Sequence, residues 1–349
     1  MSNLRWRVAA NYIKHNKMLA IEQMRNIVQQ FIEARTKPTI SAFQPYTIFV
    51  EPTIRCNLRC PTCDWEARGR GSPDMTLTQF KMILDKLPLV AHIHLEGLGE
   101  PLLNKEFLDM VRLAVSRGIS VDTTTNCTLV NERTAAELVD SGLMRMFISI
   151  DGASAKTYEE ARVGASFERV MRHLEILSRA KMRLRSPIEM SLWFVGTNRN
   201  MHELSRLVEI ASGLNIPMVY VDATHDWGND AVRARIEPLQ VSVEVARKSF
   251  ESASIRAKKL GVDLRVNAML ARLLNGDITV KCRWPWWSFY ITVEGDIVPC
   301  CLRPDPQKLS LGNIFRQDFQ KVWNGQDYVK FRERIKAGDY PDFCKGCVC

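Results

Sequence analysis

Between Thr47 and Asp222 the chain repeats one pattern, a short β-branched run followed by an amphipathic stretch of helical period. The runs fall at 46–51, 90–96, 119–125, 145–151, 188–195 and 217–223, and helical spacing fills 76–87, 104–117, 131–141, 155–182 and 200–213. Strands that alternate with helices pair in parallel, because each helix carries the chain back to the same end of the sheet through a right-handed crossover. Six such units are fewer than a closed barrel needs. The expectation is an α/β fold, an open, partial (β/α)6 TIM-like barrel.

Parallel strands covered on both faces read as continuous apolar runs. These do not. Ile93 and Leu95 alternate with His92, His94 and Glu96, and Ile148 and Ile150 with Ser149 and Asp151. Met190, Leu192 and Phe194 alternate with Ser191 and Trp193, and Val219 and Val221 with Tyr220 and Asp222. Successive side chains point to opposite faces, so the apolar sides belong under the helices and the other sides inside the barrel. In place of the usual Val, Ile and Leu filling, the interior is expected to be a wet cavity for a polar ligand. Glu96, Tyr220 and Asp222 are its candidate catalytic residues, with His94 and Trp193 also pointing inward. The loop His225–Asp230 is placed near its mouth.

The first strand leads into Cys56-Asn-Leu-Arg-Cys60-Pro-Thr-Cys63. Thiolates are soft ligands suited to iron–sulfur clusters or zinc. Three thiolates on a four-iron cluster leave one iron open, as catalytic metal sites require, whereas a structural zinc loop would take a fourth ligand from elsewhere. Ten cysteines in a chain without an apolar signal segment point to metal or redox chemistry rather than a disulfide framework.

Gly97-Leu-Gly-Glu-Pro101, Thr125-Asn126 and Ser149-Ile-Asp151-Gly-Ala follow in that order. Together with the cysteine loop they resemble the radical S-adenosylmethionine (SAM) superfamily, over roughly Thr47 to Asp222. The resemblance implies that Cys56, Cys60 and Cys63 ligate a [4Fe-4S] cluster whose open iron chelates the amino and carboxylate groups of SAM. Electron transfer then cleaves SAM to a 5′-deoxyadenosyl radical. It also implies cofactor-binding roles: Gly99 for close backbone approach, Glu100 for the SAM ammonium, and Asn126, Ser149 and Asp151 for ribose and methionine. Arg162 matches an arginine that approaches the SAM carboxylate. Two departures stand out: Leu98 replaces the first glycine of Gly-Gly-Glu-Pro, and Thr62 stands where an aromatic is frequent.

Cys282 and Cys300, with Gly295 between them, and then Cys344-x2-Cys347 resemble the auxiliary-cluster half of SPASM or twitch domains. This implies a second [4Fe-4S] cluster closed by those four thiolates, with zinc as the alternative occupant. The Cys-x5-Cys-x3-Cys run of a further cluster is absent. Cys127 and Cys301 read as bystanders, and Cys349 competes with Cys347 as the fourth ligand. The chain thus divides into an N-terminal helical extension (1–45), the barrel (46–235), a connecting helix and strand (236–281, with the strand near 262–267), and a small C-terminal iron–sulfur domain (282–349) that opens on a β-hairpin.

An auxiliary cluster offers an electron acceptor. The expected reaction is hydrogen abstraction from a polar small molecule, sugar or aminocyclitol-like, with net oxidation. The alternatives are a maturase acting on a ribosomally made peptide, or a redox-neutral rearrangement or C–C coupling in natural-product biosynthesis. A flavodoxin- or ferredoxin-like protein is the expected reductant, and oxygen-sensitive clusters imply the cytoplasm. The net charge of +9 is scattered, so no nucleic-acid partner is expected. No apolar run is long enough to span a bilayer. Within the helical segment 1–36, Ile21, Met24, Ile27/Val28 and Phe31/Ile32 share one face, which is expected to pack on the barrel. The basic residues Arg5, Arg7, Lys14, Lys17, Arg25 and Arg35 leave peripheral membrane contact as the other fate.

Overall fold

The computed structural model describes residues 19–64, 73–224, 227, 229–276, 282–344 and 347. Its strands β1 (Thr47–Val50), β2 (His92–Leu95), β3 (Ser120–Thr125), β4 (Arg145–Ser149), β5 (Glu189–Gly196) and β6 (Met218–Ala223) pair in parallel, each beside the next in sequence. The short strand expected near 262–267 is β7 (Asp263–Val266), which extends the same sheet in parallel from β6. At the opposite edge, β8 (Tyr290–Ile291) pairs in parallel with β1 and turns back antiparallel into β9 (Ile297–Val298). Among the described residues the sheet therefore has nine strands, in the order β7-β6-β5-β4-β3-β2-β1-β8-β9.

The helices are α1 (Leu19–Thr36), α2 (Leu77–Lys86), α3 (Phe107–Ser116), α4 (Glu132–Asp140), α5 (Ala155–Ala161), α6 (Phe167–Arg183), α7 (Leu204–Gly213), α8 (Asp230–Ile236), α9 (Val243–Leu260), α10 (Ala268–Leu274), α11 (Phe319–Trp323) and α12 (Gln326–Ala337). Local chemistry sets several starts. Thr76 and Gln79 form a reciprocal capping box on α2, and Asn131 accepts from Thr134 N at the start of α4. The single helix expected over 155–182 is two helices. Gly164, at φ +100°, turns the chain out of α5, and the Ser166 side chain caps α6 by accepting from Arg169 N. Ile93, Leu95, Ile148, Ile150, Leu192, Phe194, Val219 and Val221 are all buried in the core between sheet and helices.

Helix α1 reverses its expected orientation. Its polar side is the buried one: Gln23 Nε2 donates to Leu89 O (3.1 Å), Gln30 donates to Trp287 O, and Asn26 Oδ1 accepts from Gln44 N (2.8 Å). Glu33 Oε1 accepts from Ala42 N at 2.8 Å. Ile27 and Phe31 turn partly inward, Phe31 onto Trp287 at 5.5 Å between ring centroids, but Ile21, Met24, Val28 and Ile32 face water. The segments leading into β1, β2 and β8 present backbone groups that need partners, and polar side chains supply them. Residues 1–18 lie outside the described residues.

The C-terminal module is held to the barrel by the strap between α1 and β1. Trp286 Nε1 donates to Pro38 O (2.6 Å) and Trp323 Nε1 to Phe43 O (2.9 Å). Arg332 is fully buried and donates to Pro285 O (3.0 Å), Trp323 O (2.8 Å) and Thr39 O (3.2 Å). Its guanidinium lies over the Trp323 and Tyr328 rings, at 4.3 and 4.5 Å. Burial lowers its pKa to about 10.

Candidate active site

The cysteine loop leaves β1 and is fastened along its length. Glu100 N donates to Arg55 O (2.8 Å), Asn126 Nδ2 to Asn57 Oδ1 (3.0 Å) and Arg59 N to Val163 O (2.9 Å). At the far end Trp227 Nε1 donates to Thr62 O (2.8 Å), Arg235 Nη2 to Cys63 O (3.3 Å) and Asn229 Nδ2 to Asp64 Oδ1 (2.9 Å). Nothing in the sequence marked Trp227, Asn229 or Arg235 as supports of this loop. His225, Asp226 and Gly228 of the loop expected near the mouth lie outside the described residues. Gly99 does make the close approach: a Cβ there would meet Thr53 O inside van der Waals contact and Arg55 O at 2.7 Å.

Glu100 is buried and accepts from Thr125 Oγ1 (2.7 Å), Leu102 N (3.2 Å) and Asn126 N (2.7 Å). It ties the Gly97–Pro101 turn to the end of β3, and burial raises its pKa despite those donors. Asp151, just past β4, accepts from Val195 N (2.8 Å) and pairs with Arg162 Nε at 2.6 Å. Arg162 Nη1 in turn lies 3.8 Å from Cys60 Sγ. Burial alone would lower the Arg162 pKa, but Asp151 and Cys60 drive it upward. Ser149 is buried at the end of β4 beside Trp193. Glu100, Asn126, Ser149, Asp151 and Arg162 thus stand at the C-terminal ends of the strands around the cysteine loop, the end where α/β barrels build their sites.

The interior departs from a uniformly polar cavity. Phe147 meets Trp193 and Tyr220 edge-on, at 5.2 and 5.8 Å, and Trp193 stacks on Tyr220 at 5.5 Å. Glu96 accepts from Thr124 Oγ1, and burial lifts its carboxyl to about 7. Asp222 accepts from Ala223 N (2.8 Å) and from the Asn267 amide. Cys301, read as a bystander, is pushed up by burial and then by the charges of Glu96 and, more weakly, Asp222. Below them His92, His94 and Asp122 converge, with His92 Nε2 3.3 Å and His94 Nδ1 3.9 Å from Asp122 Oδ2. Arg145 Nε lies 3.8 Å from that same oxygen and supplies a counter-charge, so the cluster reads as the polar floor of the barrel.

Cys282, Cys300, Cys344 and Cys347 line one cavity of about 400 Å³, counting its open mouth, together with Trp284, Pro285 and Phe331. Burial and neighbouring thiols push Cys63 and Cys344 up to about 12, and burial pushes Cys282 to about 11. Buried thiols gathered in this way need a cation to ionise. A single zinc with thiolates at ~2.3 Å would bring their sulfurs to about 3.8 Å apart. Among the described residues no three cysteines bring their sulfurs within 4.8 Å of one another. Soft thiolates gathered in this way suit iron–sulfur clusters. Cys349 lies outside the described residues, and Cys127 is buried in the core.

Residues 50–211 match the radical SAM superfamily, and residues 282–348 match an iron–sulfur cluster-binding domain, SPASM. An AdoMet-dependent heme synthase of Oleidesulfovibrio alaskensis is 32% identical over 317 residues, covering 85% of this chain and 78% of that protein. The chain belongs to the radical SAM superfamily. It carries a C-terminal SPASM domain, and as a radical SAM enzyme it uses SAM and [4Fe-4S] clusters, an auxiliary site included. A PqqA peptide cyclase of Rhodopseudomonas palustris is 27% identical over 300 residues, covering 84% of this chain and 74% of that one. Among solved structures, Streptococcus suis SuiB bound to precursor peptide SuiA superposes with a TM-score of 0.69 at 16% identity, covering 89% of this chain and 71% of SuiB. That likeness concerns the fold alone. No helix among the described residues is long and apolar enough to cross a membrane.

Proposed function

We propose that this radical SAM enzyme is a peptide maturase, abstracting hydrogen from a residue of a ribosomally made peptide. The likeness to the PqqA peptide cyclase over most of both chains carries this reading. The sugar or aminocyclitol expected from the auxiliary cluster and the polar strand faces is the weaker fit. Phe147, Trp193 and Tyr220 offer an aromatic wall for a peptide side chain.

Cys56, Cys60 and Cys63 would hold one [4Fe-4S] cluster, and Cys282, Cys300, Cys344 and Cys347 a single auxiliary one. With SAM bound, the first cluster would supply the electron that turns SAM into a hydrogen-abstracting radical. Gly99, Glu100, Asn126, Ser149, Asp151 and Arg162 would hold SAM, with the Arg162 guanidinium suited to its carboxylate and Glu100 to its ammonium. Trp193 and Tyr220 orient the substrate and exclude water, and Glu96, poised near neutrality, takes or returns a proton at its carboxyl. Asp222, held by Asn267, bounds the cavity on the β6 side.

The 32% identical heme synthase favours a second reading, chemistry on a heme precursor. One experiment separates the two. The reconstituted enzyme, with reductant and SAM, is offered candidate peptides encoded beside its gene, and 5′-deoxyadenosine and peptide mass are followed. A peptide that accelerates 5′-deoxyadenosine release and changes mass supports the maturase. Acceleration by a heme precursor or a sugar alcohol, with peptides inert, overturns it.

A further inference from the structure

Helix α1 is turned inside out relative to an ordinary surface helix. Gln23, Asn26, Gln30 and Glu33 occupy the side against the protein, while Ile21, Met24, Val28 and Ile32 are 70%, 47%, 56% and 46% exposed. At their helical spacing these four form one continuous stripe on the outward face. Ile40, just beyond the helix, is 58% exposed as well. Scattered exposed apolar residues need no explanation, but a contiguous stripe marks an interaction site.

Charge says what kind. Arg25 is exposed beside the stripe and Arg35 at its C-terminal end. In the sequence, Arg5, Arg7, Lys14 and Lys17 come before Leu19, and the first acidic residue is Glu22, itself exposed. Glu33 is buried, its Oε1 accepting from Ala42 N and Gln29 Nε2. A second copy of the chain would bring two basic faces together, which like-charge repulsion opposes. An anionic bilayer suits both features, because apolar side chains enter the boundary between headgroups and acyl chains while the basic residues meet the headgroups.

We propose that the outer face of α1 docks this enzyme on an anionic lipid surface. The helix bonds to Gln44, Leu89 and Trp287, the segments that lead into β1, β2 and β8. It therefore lies at the N-terminal ends of the strands, whereas the cysteine loop, Glu100 and Asp151 stand at the C-terminal ends. Docking tethers the enzyme and leaves the SAM end of the barrel open on the opposite side.

The full-length, cluster-loaded protein is tested by co-sedimentation with phosphatidylcholine vesicles, with and without phosphatidylglycerol. Binding should require phosphatidylglycerol and weaken with salt. The double variant Ile21→Asp, Val28→Asp should bind at least about tenfold more weakly, with unaltered circular dichroism and unaltered substrate-free SAM cleavage in buffer. Arg25→Glu should weaken binding by a smaller factor while keeping the stripe. Wild-type protein that stays in the supernatant at low salt overturns the proposal, as does a double variant that binds undiminished. A dimer that the double variant converts to monomer, without vesicle binding by either, assigns the face to a second copy and equally overturns it.

Discussion

Asp151 Oδ2 stands 2.6 Å from Arg162 Nε, and the same guanidinium reaches Cys60 Sγ at 3.8 Å, so one buried cation joins the end of β4 to the cysteine loop. The break between α5 and α6 makes this possible, because Arg162 is the residue at which α5 ends over that loop. Removing one partner of a buried ion pair leaves the other charge desolvated. Asp151→Asn should therefore cost about 3–5 kcal/mol of stability and weaken SAM binding. Urea denaturation and calorimetric SAM titration read the two effects, and a variant normal in both would show that Arg162 does not depend on Asp151.

Glu100→Gln isolates a second device. Its Oε1 can still accept from Thr125 and Leu102, but an amide nitrogen would confront the Asn126 N–H, donor against donor. An unmade buried hydrogen bond costs about 1–3 kcal/mol, and SAM affinity should fall in addition because the ammonium loses a charged acceptor. Unchanged SAM affinity in a folded variant would contradict the role given to Glu100. Gly99→Ala should be worse tolerated, since its Cβ meets backbone rather than a movable side chain.

The carboxyl of Glu96 is raised from 4.5 to about 7, chiefly by burial. The folded protein thus holds this proton more tightly than the unfolded chain does. The associated stability is complete below about pH 4.5 and is lost as pH rises through about 7. Glu96→Gln should remove this component, so the difference in thermal midpoint between variant and wild type should grow in the variant's favour between pH 5 and pH 8. Parallel profiles would mean that Glu96 titrates normally.

Anaerobic reconstitution should load about eight irons and eight sulfides per chain. Replacing Cys56, Cys60 and Cys63 with Ala should leave about four of each, as should replacing Cys344 and Cys347. Cys301→Ala should keep the full complement. A stoichiometry near twelve would require a second auxiliary cluster, and bound zinc would return the C-terminal cysteines to a structural role.

Local pattern in the sequence was enough to locate the strands, their faces and the metal-binding chemistry. β-branched runs and their period of two placed Ile93, Ile148 and Val219 under the helices, and the spacing of Cys56, Cys60 and Cys63 announced a thiolate site before any contact was known. These features depend on neighbours a few residues apart, so a linear reading captures them. The orientation of α1 did not. Helical period says that Ile21, Met24, Val28 and Ile32 share a face, but which face docks depended on unpaired backbone groups at Gln44, Leu89 and Trp287. Tyr290 reaches Glu51 across 239 positions to seat β8 beside β1, and Arg332 is caged by carbonyls of Thr39, Pro285 and Trp323. The aromatic wall is a mixed case: parity turned Trp193 and Tyr220 inward, but only strand packing brought them against Phe147. Such contacts are decided by the tertiary structure, because a buried polar or charged group takes whatever partner the folded chain brings within hydrogen-bond reach, and sequence distance places no limit on that partner.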